Sequence, residues 1–206
     1  MITVSLAGRL LTLTLNRPEK ANSLTRLILE QADAALAQAD TQGVGAVILT
    51  GAGQVFSAGA DLDEARAGLA TDPVWERLSA RIAGLPCLTI AALNGTLAGG
   101  AMGMVLACDL RLAVPSAKLF YPVMKLGFLP QPSDPRRLAA LIGPARAKMI
   151  LMAGARITAA EALDWGLIDR ISPPETLLQD AQALAADALS AAPDHVAAIK
   201  RLVLIG

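Results

Sequence analysis

The sequence predicts an α/β fold, and three observations carry that expectation. Short apolar strands alternate with stretches of helical spacing, small-residue loops follow two of the strands, and no linker-rich stretch divides the chain. With 206 residues, 54% of them hydrophobic and 17% charged, the composition is that of one folded domain. Two enzymes fused end to end would not fit in it.

The elements follow in order. Ile2–Leu6 and Leu10–Leu15 alternate around Ala7-Gly8-Arg9, as a hairpin does. Ser23 is placed to cap a helix running to about Gln42, with Leu24, Leu27, Ile28, Ala32, Ala35, Leu36 and Ala39 on its apolar face; Gly43 and Gly45 end it. Ala46–Thr50 reads as a buried strand, Pro73–Ala83 as a helix, Cys87–Leu93 as a second buried strand and Gly99–Cys108 as a helix. Leu110–Val114 and Lys118–Tyr121 are strand-like. Helices are expected over Arg136–Leu141, Ala145–Leu151, Ala159–Trp165, Glu175–Ser190 and His195–Leu204.

Charge and composition exclude several function classes. Eighteen basic residues balance eighteen acidic ones, no basic stripe is present, and there are six aromatic residues in all, so nucleic-acid binding is not expected. Cys87 and Cys108 sit in apolar runs and read as small buried hydrophobes. His195 has no ligand-spaced partner, so no metal site is expected and the residue reads as an ordinary helix position. The stretch from Ile82 to Cys108 carries no charge, but Pro86, Asn94-Gly95, Gly99, Gly100 and Gly103 break it into strand, turn and helix rather than a membrane span. The first residues lack the pattern of a signal peptide, which makes the cytoplasm the expected location.

Chemistry is expected at two loops, Phe56-Ser57-Ala58-Gly59-Ala60-Asp61 and Asn94-Gly95-Thr96-Leu97-Ala98-Gly99-Gly100-Ala101. Each follows a buried strand, and their small residues let a ligand reach backbone N–H groups. Two such donors meeting at one point would form an oxyanion hole. The same glycines are equally consistent with tight turns and close helix packing.

Several runs together resemble the enoyl-CoA hydratase/isomerase (crotonase) family. They are Asn16-Arg17-Pro18-Glu19-Lys20-Ala21-Asn22-Ser23-Leu24, Phe56 through Leu62, Asn94-Gly95 through Gly99-Gly100, Leu106 through Arg111, Leu126-Gly127, Arg137-Leu138 and Ala162 through Ile168. The resemblance implies a crotonase-like spiral of ββα units over residues 1–190 with a short helical C-terminal region, 191–206, where members of the family usually continue further. It implies an acyl-CoA thioester as substrate, no metal or redox cofactor, and a homotrimer or dimer of trimers. Carried onto this chain, the oxyanion donors are the N–H groups of Ala60 and Gly100. Lys20, Ala21, Leu24, Arg26, Ala58, Asp61 and Leu62 would line the CoA moiety, Lys20 or Arg26 meeting phosphate. Gly99, Gly103, Pro122, Val123 and Leu126 would line the acyl pocket.

Hydratases of the family carry one glutamate on the helix after the Gly-Gly turn and a second after the following strand. Those positions are Gly103 and Val123 here. Each acid–base group contributes about 10²–10⁴ in rate, so the pair is worth roughly 10⁴–10⁸ and ordinary hydration is not expected. Isomerases manage with the carboxylate at the position of Val123, which puts simple double-bond migration in the same difficulty. Tyr121 and Asp134 are the replacement candidates, although Tyr121 also suits plain packing and Asp134, before Pro135, suits a helix cap. Asp63 and Glu64 read as the start of a solvated helix, Asp61 as a brace for its own loop, and Arg136 and Arg137 as either substrate-carboxylate contacts or surface pairs. An enolate-forming enzyme is therefore the reading, beside two rivals: an acyl-CoA binder without catalysis, and a hydratase with relocated carboxylates.

Overall fold

The computed structural model describes residues 1–204. Along the chain it forms β1 (Ile2–Ala7), β2 (Leu10–Leu15), α1 (Arg26–Thr41), β3 (Ala46–Gly51), β4 (Val55–Ser57), α2 (Leu62–Arg66), α3 (Val74–Gly84) and β5 (Leu88–Leu93). Next come β6 (Thr96–Ala98), α4 (Ala101–Leu106), β7 (Leu110–Ala113), β8 (Lys118–Phe120), α5 (Val123–Leu126) and α6 (Asp134–Leu151). The chain finishes with β9 (Ile157–Thr158), α7 (Ala159–Trp165), β10 (Arg170–Ile171), α8 (Leu177–Ser190) and α9 (Pro193–Leu204).

Two sheets organise these elements. The larger runs β1-β2-β3-β5-β7-β10 and the smaller β4-β6-β8-β9. Only β1 in the first and β9 in the second are antiparallel to their neighbours. Three times in succession the chain passes from a strand of the larger sheet to one of the smaller and then into helix, which is the ββα spiral expected from the sequence. β3 and β5 are buried on both faces, hence their unbroken apolar runs. Their polar exceptions are satisfied, Thr50 Oγ1 donating to Ala92 O at 2.9 Å and Thr89 Oγ1 to Asp109 Oδ2 at 3.0 Å.

Local chemistry sets the element ends, and it corrects three expectations. α1 is capped by Thr25, whose Oγ1 accepts from Ile28 N at 3.2 Å, and not by Ser23, whose hydroxyl is taken by Arg17. Gly43, at φ +68°, closes the same helix as Val44 N reaches back to Ala39 O. The two helices expected over 136–151 are one element, α6, kinked at Gly143 (φ 79°, ψ 159°) just before Pro144. Asp134 opens that element but does not cap it: the preceding Ser133 is the cap position, and the Asp134 side chain turns inward.

Long-range ties close the spiral. The Arg9 guanidinium, in the β1–β2 turn, donates to Leu189 O and Ala191 O at the end of α8, at 3.0 and 2.8 Å. Lys200 of α9 donates to Cys87 O at 3.0 Å and to Asp109 Oδ2 at 2.8 Å. Cys87 and Cys108 are buried and form no disulfide, and burial pushes the Cys108 thiol up to about 12. No helix among the described residues is long and apolar enough to cross a membrane.

Candidate active site

The smaller sheet places both glycine-bearing loops side by side, because β4 and β6 are neighbours. Gly59 (φ +91°) and Gly99 (φ +58°) face each other there, a Cβ on Gly59 falling 2.9 Å from Ala98 O and 3.2 Å from Gly99 Cα. Neither conformation nor spacing admits a side chain. The functional and the packing readings of these glycines therefore hold together, since the close contact is what brings the loops to one place.

The first loop is fixed by the run from Asn16 to Leu24. Asn22, buried at φ +52°, accepts from Arg17 N at 2.8 Å and donates through Nδ2 to Ala52 O and Val55 O at 2.9 and 2.7 Å. Its own carbonyl accepts from Ser57 Oγ at 2.8 Å. Arg17 Nη1 reaches Asp61 Oδ2 at 2.8 Å, and that guanidinium holds the Asp61 carboxyl below its ordinary value. Asp61 also accepts from Asp63 N at 3.2 Å, capping α2.

Ala60 N and Gly100 N are among the amides of the two loops that no described residue claims. Ala58 N donates to Ala21 O, Gly59 N to Ser57 Oγ and Asp61 N to Leu24 O; no described residue accepts from Ala60 N. Across the contact, Gly99 N donates to Phe120 O while Met102 N and Gly103 N turn back to Gly99 O and Gly100 O; no described residue accepts from Gly100 N. Ala60 and Gly100 line the same cavity of about 310 Å³. Trp75 closes it behind Gly100, where a Cβ would sit 3.1 Å from the indole, and Trp75 Nε1 is fixed by Leu69 O at 2.7 Å.

A polar pair starts at the cavity wall with Tyr121 and continues behind it to Asp134. Tyr121 lines the cavity, is 4% exposed, and donates from Oη to Asp134 Oδ2 at 2.9 Å. Asp134 is 1% exposed, and its Oδ1 has no hydrogen-bond partner. Burial raises its affinity for a proton to about 6, against the opposing effects of the Tyr121 hydrogen bond and Arg137; Glu76 adds to the rise. Burial likewise raises the Tyr121 phenol, reinforced by the Asp134 charge and by the bond to it.

The remaining predicted positions divide. Ala58, Leu62, Gly99, Pro122, Val123 and Leu126 line the cavity. Leu24 does not, since its side chain is wholly buried; it serves through its backbone, giving N–H to Gly59 O at 2.8 Å and receiving Asp61 N. Gly103 does not either, because it is buried beneath Asp134, whose Oδ1 lies 2.8 Å from where a Cβ would be. Lys20 is exposed on the loop that also presents Ala21, both outside the cavity. Arg26, also outside it, is paired with Asp72. Arg137 donates to Ser79 Oγ at 3.0 Å, and Glu64 accepts from Arg26 N at 2.7 Å.

Sequence reasoning missed Trp75 and Gln131, which also line the cavity. Gln131 N approaches Tyr121 Oη at 3.5 Å and its side chain donates to Ala70 O at 3.1 Å. A Trp at helical spacing reads as core, and only its position over a glycine reveals the second role. A larger cavity, about 550 Å³, lies beneath α9. Its walls are mostly apolar but include Asp187 and His195, and the Lys200 and Asp109 charges that also line it are paired with each other.

Comparison with known proteins agrees with this architecture. Residues 7–204 match the enoyl-CoA hydratase/isomerase family. Carnitinyl-CoA dehydratase of Salmonella arizonae is 37% identical over 203 residues, covering 95% of this chain and 77% of that protein. The crystal structure of an enoyl-CoA hydratase from Bacillus anthracis superposes with a TM-score of 0.92 at 35% identity, covering 99% of this chain and 82% of that one. The structure of Pseudomonas aeruginosa DspI gives a TM-score of 0.90 at 29% identity, covering 98% and 85%. The chain belongs to the enoyl-CoA hydratase/isomerase, or crotonase, family.

Proposed function

We propose that this chain binds an acyl-CoA thioester and stabilises its enolate through the N–H groups of Ala60 and Gly100. The observation that carries the reading is that two touching loops leave the amides of Ala60 and Gly100 without an acceptor and that both of these residues line one cavity. A thioester oxygen gains negative charge as an enolate forms, and a fixed N–H donor at such an oxygen is worth about 10²–10³ in rate. α4 has only six residues, so the local amides supply this effect rather than a long helix dipole. In this reading the CoA moiety runs past Ala58, Asp61 and Leu62 toward exposed Lys20.

Hydration is not the reaction we assign. Gly103 and Val123 carry no carboxylate, and Val123 presents an aliphatic wall to the cavity. The same two residues favour a second reading, an acyl-CoA binder that performs no chemistry.

Calorimetric titration tests the binding claim, with butyryl-CoA against its thioether analogue, which lacks the carbonyl. Two hydrogen bonds of roughly 0.5–1.5 kcal/mol each predict that the thioether binds about 5- to 150-fold more weakly. Equal affinity for the two would remove the amides from the mechanism. Tight binding of the thioester with no exchange of its α protons in D2O would select the non-catalytic reading.

A further inference from the structure

We propose that Tyr121 and Asp134 form a proton relay for this site, Tyr121 touching the acyl α carbon and Asp134 receiving the proton behind it, in room that Gly103 leaves free. The proposal rests on the thioester reading and adds the acid–base groups to it.

The geometry is unusual for packing alone. A phenol and a carboxyl are buried together at 2.9 Å in a largely apolar wall, and one carboxyl oxygen is left without any partner. An orphaned buried oxygen costs stability, so its presence calls for an explanation, and a functional role is one. The carboxyl also occupies the volume of a missing side chain, lying 2.8 and 3.1 Å from the Cβ position of Gly103. The segment is pinned in place: Glu76 accepts from Ser133 N at 3.2 Å and from Ser133 Oγ, while Arg137 is held by Ser79.

The step balances as follows. The Cα–H bond of the acyl group breaks, its proton bonds to Tyr121 Oη, and the electron pair moves into the enolate. In concert Tyr121 gives its own proton to Asp134 Oδ2, the direction in which the hydrogen bond already points. One negative charge leaves a carboxylate with a single donor and arrives at an oxygen facing two amides. Reversal protonates the α carbon. Tyr121 is the catalytic residue and Asp134 a positioning and proton-holding residue that acts through it. Burial keeps the phenol protonated at rest, so it passes a proton along rather than standing as a phenolate.

The charged and titratable groups facing Asp134 are Tyr121, Arg137 of α6 and Glu76 of α3; α4 presents only Gly103. Proton abstraction needs Asp134 ionised, so the rate should rise with pH through about 6 and level off above it.

The experiment is exchange of the α protons of butyryl-CoA with D2O, followed by NMR, in parallel with calorimetric binding of the same ester. The expected result is exchange by the wild-type protein, a loss of about 10²-fold or more in Tyr121→Phe and in Asp134→Asn, and a flattened pH profile in Asp134→Asn, with binding retained in both. Should Asp134→Asn fail to fold, Tyr121→Phe, which keeps the ring volume, decides alone. Wild-type exchange in either variant, or an unmoved pH profile in Asp134→Asn, overturns the relay. Binding by the wild type without any exchange overturns the relay and leaves of the proposed function only the acyl-CoA binding, the non-catalytic reading; failure to bind overturns both.

Discussion

Replacing Gly103 by alanine offers a test in which the sign of the effect depends on a residue 31 positions away. Within a helix, Gly→Ala normally stabilises by about 1 kcal/mol, because glycine is the more disordered residue when unfolded. Gly103 lies in α4, so that gain is available to it. The new Cβ, however, would stand 2.8 Å from Asp134 Oδ1 and 3.1 Å from Oδ2, distances that force the carboxyl aside. Moving it breaks the 2.9 Å bond from Tyr121, a charge-assisted contact worth about 1.5–3 kcal/mol. The two effects leave Gly103→Ala destabilising by about 0.5–2 kcal/mol in the wild-type background. In an Asp134→Ala background the obstruction is gone, and the same change should stabilise by about 1 kcal/mol. Thermal unfolding of the four proteins measures the coupling, at about 2–4 °C per kcal/mol for a domain of this size. Shifts of equal size and sign in the two backgrounds would refute the claim that Asp134 fills the space above Gly103.

Three further outcomes are expected. The Asp134 carboxyl binds its proton more tightly when folded, at about 6 against an ordinary 3.8, so its contribution to stability is full below pH 4 and is lost as pH rises through 6. Urea unfolding should therefore show wild type losing up to about 3 kcal/mol relative to Asp134→Asn between pH 4 and pH 7; a gain over that range would contradict the assignment. Asn22→Ala removes acceptors and donors serving Arg17, Ala52 and Val55 and puts alanine at φ +52°, for an expected loss of about 3 kcal/mol by denaturant titration. Lys200→Met leaves Cys87 O and Asp109 without their shared ammonium, so hydrogen exchange should quicken along α9, with a loss of about 1–3 kcal/mol; unchanged protection there would show that the tie does not hold the helix.

What the sequence revealed, and what it hid, follows physical lines. β2 and α7 were legible to the residue, because a strand with one buried face and a helix with a capping box and a terminal glycine carry local signals. The three-residue strands β4 and β6 were not legible, since no alternation can be read in so short a run. They matter most for the site, as they join the two loops. Ser23 and Thr25 are equally good caps in isolation, and the demand of Arg17 for the serine hydroxyl separates them. Asp134 before Pro135 reads locally as a cap, but a buried tyrosine claimed its side chain. Ala60 and Gly100 were reachable only through motif resemblance. Backbone donors have no side chain to advertise them, and an unclaimed amide shows itself only when every other amide in the loop has been accounted for.

The division of strands between two sheets also bears on how the protein is made. Side chains and amides around the cavity come from Ala58 through Gln131, contributed by three successive strand–strand–helix units, with Asp134 behind them. A chain still emerging from the ribosome and arrested after the first unit would own Ala60 but have nothing opposite it. Under the proposed function, ligand recognition is thus a late event in synthesis, arriving only when the chain through Asp134 has left the exit tunnel, and no proteolytic fragment ending before that residue should retain it.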